Sequence, residues 1–139
     1  MPKLTLELAR QMVAAAREQA ESQSLKVSIA VVDAGGHLKI LERMDGAVLA
    51  SLETAQVKAR TAVLFGAPTK ALPMAQPFTP ALIGGVGYPV AFVPGGYPLR
   101  FGTELVGGIA VGGGTSEQDE GAVQMGLAVW TENSSEPAL

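Results

Sequence analysis

Residues 26–44 read KVSIAVVDAGGHLKILERM, and the fold turns on this stretch. KVSIAVVD (26–33) is short and β-branched, the composition of a largely buried strand. Gly35-Gly36 follows, a pair that tolerates the positive φ of a tight hairpin turn. The chain then returns as a second strand, HLKILERM (37–44). Strand periodicity sets His37 on one face with Lys39, Leu41 and Arg43, and directs Leu38 and Ile40 the other way, toward a core.

The flanking segments extend this hairpin. Before it, Leu6, Ala9, Met12, Val13, Ala16 and Ala20 recur with a period near that of an α-helix, charges opposite, so residues 4–23 form an amphipathic helix with Thr5 as cap. After it, residues 47–65 are helical again. Val48, Leu52, Ala55, Ala59, Ala62 and Val63 fall on one arc, Ser51, Thr54, Lys58 and Thr61 make a small polar strip beside it, and Glu53 and Arg60 face water. GAPTKALPMAQPFTPALIGGVGYP (66–89) holds five prolines, so no long helix or central strand runs through it beyond one helical turn after Thr69. Irregular connections this long are often functional covers.

Strand signals return at YPVAFV (88–93), LRF (99–101) and ELVGGIAV (104–111), with turns at PGGYP (94–98) and Gly102-Thr103. A glycine-rich turn leads into a last helix, where Thr115-x-x-Gln118 and Ser116-x-x-Asp119 both fit a capping box. The order α-β-β-α-loop-β-β-β-α is rich in hairpins and poor in crossovers. It predicts an α+β fold, a mainly antiparallel sheet with helices packed on it. One domain covers residues 1–130, and TENSSEPAL (131–139) is a flexible polar tail.

A chain of 139 residues is long enough to bury one core. Its net charge of −3, with no basic stripe, argues against a nucleic-acid partner. The absence of cysteine excludes disulfides, thiolate zinc sites and thiol catalysis, and a single histidine excludes a multi-histidine metal site within one chain. No structural metal is expected. Glu7, Arg10, Arg17 and Glu18 interrupt the N-terminal stretch, which a secretory signal would not tolerate, and no apolar run reaches membrane-spanning length. The expected location is the cytoplasm, with no membrane partner.

Several residues carry possible chemistry. Gly112-Gly113-Gly114 before a helix looks like a phosphate-binding turn, but its spacing fits neither nucleotide motif, and Glu117, Asp119 and Glu120 in the first helical turn repel phosphate. A structural cap explains it better. His37 is either an exposed turn residue or an axial ligand or proton carrier. Asp45 caps the following helix and pairs with Arg43, or Arg43 offers its planar fork to a carboxylate or a porphyrin propionate. Lys58 snorkels to solvent or lines a polar pocket. Met12, Met44, Met74 and Met125 suit core packing better than iron ligation.

IAVVDAGGHL (29–38), ERMDGA (42–47), AQVKARTAVLFGAPT (55–69), PGGYP (94–98) and ELVGGIAVGGGTSEQDE (104–120) together resemble the GlcG/HbpS family, which includes the C-terminal domain of PduO-type proteins. The similarity covers roughly residues 4–130. It implies a profilin-like domain with a five-stranded, mainly antiparallel sheet, flanking helices and symmetric homo-oligomers. It also implies haem or tetrapyrrole binding, tied in some members to haem degradation or redox sensing, while other members are accessory proteins of catabolic pathways. Haem-binding relatives use a histidine on or near the first helix, where this chain has none. A histidine ligand would therefore be His37, including across a subunit interface, with Tyr88, Tyr97 or a methionine as the other donors. Met74, Phe78 and Tyr88 of the 66–89 loop would cover the macrocycle, and Arg43 or Lys58 would hold a propionate. The alternative is a cofactor-free lyase or isomerase acting on a small carboxylate. There Arg43 or Lys58 orients the acid, Asp119 or His37 moves a proton, and the long loop is a lid. A ligand-free accessory subunit is the third possibility.

Overall fold

A computed structural model describes residues 4–72 and 74–134. The hairpin at its centre joins β1 (Ser28–Asp33) to β2 (Leu38–Arg43) in antiparallel register. Asp33 ties the turn together. Its Oδ1 accepts hydrogen bonds from the amides of Gly35 at 2.9 Å and His37 at 3.0 Å, while Gly36 takes φ +83°. The His37 amide chiefly holds the Asp33 carboxyl below its ordinary value, against the opposing effect of burial.

Around the hairpin stand α1 (Leu6–Ser22), α2 (Ala50–Phe65), α3 (Thr79–Val86), β3 (Gly96–Phe101), β4 (Glu104–Gly112) and α4 (Ser116–Ser134), with a 3₁₀ turn at Thr69–Ala71. The strand order is β2-β1-β4-β3, every pairing antiparallel. The α+β fold with flanking helices is therefore observed, with four strands among the described residues where the resemblance implies five.

YPVAFV (88–93) forms no strand. Its Ala91 amide donates to Thr61 Oγ1 of α2 at 3.0 Å, and the buried Phe92 ring meets Phe65 edge-on, so the segment is tied to a helix rather than to a sheet edge. PGGYP is only partly a turn, since Gly96, Tyr97 and Pro98 already belong to β3. Proline is tolerated there because β3 is an edge strand. The 66–89 loop also holds more helix than one turn after Thr69. Pro80 sits in the first turn of α3, where its missing N–H costs nothing, and Gly87 closes it in the left-handed conformation.

Both faces of the sheet are covered. On one, α1 and α4 bury Met12, Val13, Val123 and Trp130 against Ile29, Val31, Leu99, Ile109 and Val111. On the other, α2 lays Ala55, Ala59 and Val63 over Ala30, Val32 and Ala110. This second layer is built from small residues, so α2 lies close to β4. A Cβ placed on Gly108 would sit 2.8 Å from the carbonyl oxygen of Ala59, and one on Gly112 would sit 2.9 Å from the Ala55 nitrogen.

Capping follows the sequence at two places. Leu8 N donates to Thr5 Oγ1 at 3.1 Å, and Thr115 and Gln118 exchange the reciprocal bonds of a capping box. The overlapping Ser116-Asp119 box does not form, because Asp119 Oδ1 accepts from Gly114 N at 2.8 Å. Leu6, Leu38 and Val48 stand exposed rather than in the core, and Leu41 packs on the α2 side as Ile40 does on the α1 side. Met12 and Met44 belong to the main core, whereas Met74 and Met125 are exposed. Of the tail expected at 131–139, residues 131–134 are the last turn of α4 and 135–139 lie outside the described residues. No described helix is long and apolar enough to cross a membrane.

Candidate functional site

Tight turns expose side chains, and the β1–β2 turn lies beside α2, so residues of the two elements share a cavity. It measures about 640 Å³ and is lined by the turn 34–38, by Gln56, Arg60, Val63 and Leu64 of α2, and by Tyr88 from the long loop. His37 stands at its edge with its side chain 82% exposed, and its Nδ1 lies 3.4 Å from Asp33 Oδ1. Arg60, expected to face water, is half-buried. Its stem crosses the turn, and a Cβ on Gly36 would come within 3.1 Å of Arg60 Cγ. Gly36 is thus required twice, by its positive φ and by this close approach. Arg60 was identifiable by spacing, since it shares a helix face with Gln56, Val63 and Leu64.

Lys58 and Asp119 occupy a different place. Lys58 Nζ lies 2.8 Å from Asp119 Oδ2 and 3.0 Å from the carbonyl oxygen of Val111, and the two residues are only 5% and 3% exposed. Lys58 therefore does not snorkel. The pair forms part of the wall of a second cavity of about 390 Å³, together with Ser51, Thr54 and Ser116. Ser51, Lys58 and Thr61 of the polar strip of α2 are turned inward here, while Thr54 stays exposed. Ser51 Oγ bonds Ser28 Oγ at 2.7 Å, and Thr61 Oγ1 donates to the Val57 carbonyl oxygen at 2.7 Å.

Arg43 lines a third cavity of about 670 Å³, between the end of α1 and the end of β2, with Arg17, Lys26, Glu42 and Asp45. Arg17 is paired with Glu42 and Glu21. Among the described residues no ion pair joins Arg43 to Asp45. Asp45 does not cap α2, whose N-cap residue is Leu49, without a side-chain bond.

Tyr97, the other tyrosine, is buried and donates its hydroxyl to Glu120, which also accepts from Gln124 at 3.0 Å and lies 3.3 Å from Lys70 Nζ. Burial, and then the carboxylate beside it, pushes the Tyr97 phenol up. Burial pushes the Glu120 carboxyl up as well, but the bonds from Tyr97, Gln124 and Lys70 outweigh it and hold Glu120 below its ordinary value. A lowered carboxyl adds stability above its unfolded value and loses it as pH falls through the folded one; a raised phenol adds stability below its unfolded value and loses it as pH rises through the folded one. Both contributions are present between roughly pH 5 and 9. Urea midpoints measured across pH should hold a plateau there and fall on both sides. Tyr97→Phe should shorten the acid-side fall while leaving the part that Asp33 contributes. An acid arm unchanged by Tyr97→Phe would show that this hydroxyl does not set the Glu120 carboxyl.

The candidate residues are therefore distributed. His37 and Tyr88 meet in one cavity with Arg60, Lys58 and Asp119 meet in another, and Arg43 lies in a third. Met74 and Phe78 stand exposed. Among the described residues no cluster of three or more His, Asp or Glu is placed to hold a metal ion.

A family model described as haem degrading protein HbpS-like matches residues 4–128. Protein GlcG of Escherichia coli K12 is 43% identical over 67 residues, 48% of this chain and 50% of that protein, so the chain spans half the length of this curated relative. The crystal structure of a PduOC:haem complex superposes with a TM-score of 0.85 at 33% identity, covering 92% of this chain and 95% of that one. A double mutant of HbpS from Streptomyces reticuli gives a TM-score of 0.81 at 36% identity, covering 93% and 88%.

Proposed function

We propose, on the premise that the chain belongs to the HbpS-like family, that it binds haem or a related tetrapyrrole in the cavity between the β1–β2 turn and α2. One observation carries this reading: His37 and Tyr88, distant in sequence, meet Arg60 in a single cavity with an apolar wall. The donor set fits the group. Imidazole and phenol oxygen are both axial donors to haem iron, and a guanidinium matches a propionate. Leu38, Val63 and Leu64 supply apolar surface, and about 640 Å³ lies within the range of cofactor sites.

With Nδ1 turned to Asp33, His37 keeps Nε2 as its available donor. Arg60, its stem against Gly36, is the one Lys or Arg among the described residues lining this cavity and takes the place of Arg43 and Lys58 as the propionate partner. Bound haem supplies an iron centre capable of redox or dioxygen chemistry, which is what haem degradation or redox sensing would draw on. Leu38, Leu64 and Tyr88 form an exposed apolar rim, the surface a homo-oligomer would cover. The lyase or isomerase alternative keeps only Lys58 and Asp119 in one cavity.

Haem titration tests the proposal. The protein should develop a Soret band, and His37→Ala should shift that band, with Tyr88→Phe tested alongside. Arg60→Ala should weaken binding by about 10- to 100-fold, the loss of a charge-assisted bond of roughly 1.5–3 kcal/mol. Unchanged spectra and affinity in the His37→Ala, Tyr88→Phe double variant would remove this cavity from consideration.

A further inference from the structure

The second face of α2 carries a feature that haem binding does not use. Lys58 is the one charged residue among the buried residues of α2, which are otherwise alanine, serine, threonine and Val63. A buried ion pair is seldom more stable than a well-packed apolar pair of the same volume, so stability alone does not account for it. The surroundings leave room for the charged heads. Gly95, at φ +122°, would place a Cβ 2.9 Å from Lys58 Nζ, and Gly114 would place one 3.0 Å from Asp119 Oδ1.

The hydrogen bonds are incomplete on the cavity side. An ammonium has three N–H donors. Val111 and Asp119 accept two of them, and the third has no acceptor among the described residues. Ser116, at the mouth of the same 390 Å³ cavity, offers a hydroxyl. The charge balance selects the guest. Asp119 offsets Lys58, and Glu117 lies in the same first turn of α4, so an anion gains no net attraction. A small uncharged molecule with one strong acceptor oxygen fits.

We propose that this cavity is a second site, in which Lys58 forms an imine with a small uncharged aldehyde or ketone. Asp119 accepts a proton from the ammonium at 2.8 Å, and the freed amine attacks the carbonyl carbon. The same proton passes to the carbonyl oxygen, giving a carbinolamine. A second transfer through Asp119 lets that oxygen leave as water while the nitrogen forms its double bond to carbon. One water is released, and the protonated imine stands beside the Asp119 carboxylate with the charge of the ammonium it replaces, so the ion pair persists. Lys58 acts here as nucleophile rather than as an anchor for a carboxylate.

The test uses the wild-type protein, acetaldehyde in limiting amount and cyanoborohydride, with the labelled lysines located by peptide mass mapping. Lys58 should carry several-fold more label than Lys26, Lys39 or Lys70, although Lys70 is far more exposed. In urea this preference should vanish, because the folded cavity creates it. Label on the exposed lysines with none on Lys58 would make the pair purely structural. A preference for Lys58 that survives in urea would equally overturn the assignment.

Discussion

Lys58→Met is expected to lower the unfolding free energy by about 3–5 kcal/mol, the cost of leaving one member of a buried ion pair without its partner. Methionine matches the length of the lysine stem but strands two acceptors. Asp119 Oδ2 loses its counterion, and the Val111 carbonyl oxygen loses its donor. Small domains are stable by only about 5–15 kcal/mol, so this change removes a large share of the total. Adding Asp119→Leu should recover part of the loss, because no unpaired charge then remains. Recovery is incomplete, since Gly114 N gives up its acceptor as well. Urea unfolding of the four species, with the slope constant across them, measures the coupling. A single variant that loses less than about 1 kcal/mol, the range of exposed pairs, would show the pair to be solvated.

The burial that makes this pair consequential was not visible in the chain. Spacing places Ser51, Thr54, Lys58 and Thr61 together on α2, but a polar strip ordinarily faces water. Ser51, Lys58 and Thr61 are turned inward, with Thr54 left exposed, because the sheet is covered on both faces and because Gly108 and Gly112 of β4 let α2 descend onto it. Local signals did better. The hairpin is legible because Asp33 and Gly36 satisfy the turn within a few residues, and the Thr5 and Thr115 caps for the same reason. Leu38, Leu6 and Val48 fail as core residues because they lie at element ends, where periodicity continues past the packed surface. YPVAFV has the composition of a strand but finds its partners on α2, where Ala91 N donates to Thr61 and Phe92 meets Phe65. The meeting of His37 with Tyr88 depends on where the proline-rich loop lands, and no local pattern encodes that contact.

Gly108→Ala should then strike both stability and haem binding at once. A Cβ there meets the Ala59 carbonyl oxygen at 2.8 Å and Val63 Cγ2 at 2.9 Å, distances that neither backbone nor a packed β-branched side chain absorbs without moving. Overpacking of this kind costs about 1–3 kcal/mol. The displaced element is α2, and Val63 lies in the wall of the proposed haem cavity together with Arg60. Haem affinity should therefore fall along with the urea midpoint. Gly126→Ala supplies the comparison. Its Cβ meets Met12 O at 2.9 Å and Ile109 Cδ1 at 2.7 Å, on the opposite face of the sheet between α1 and α4. It should destabilise to a similar degree and leave the affinity of the folded protein unchanged. Equal losses of haem affinity in both variants would mean that binding follows global stability and not the placement of α2. A Gly108→Ala protein with the wild-type midpoint would mean that α2 does not lie as close to β4 as the fold requires.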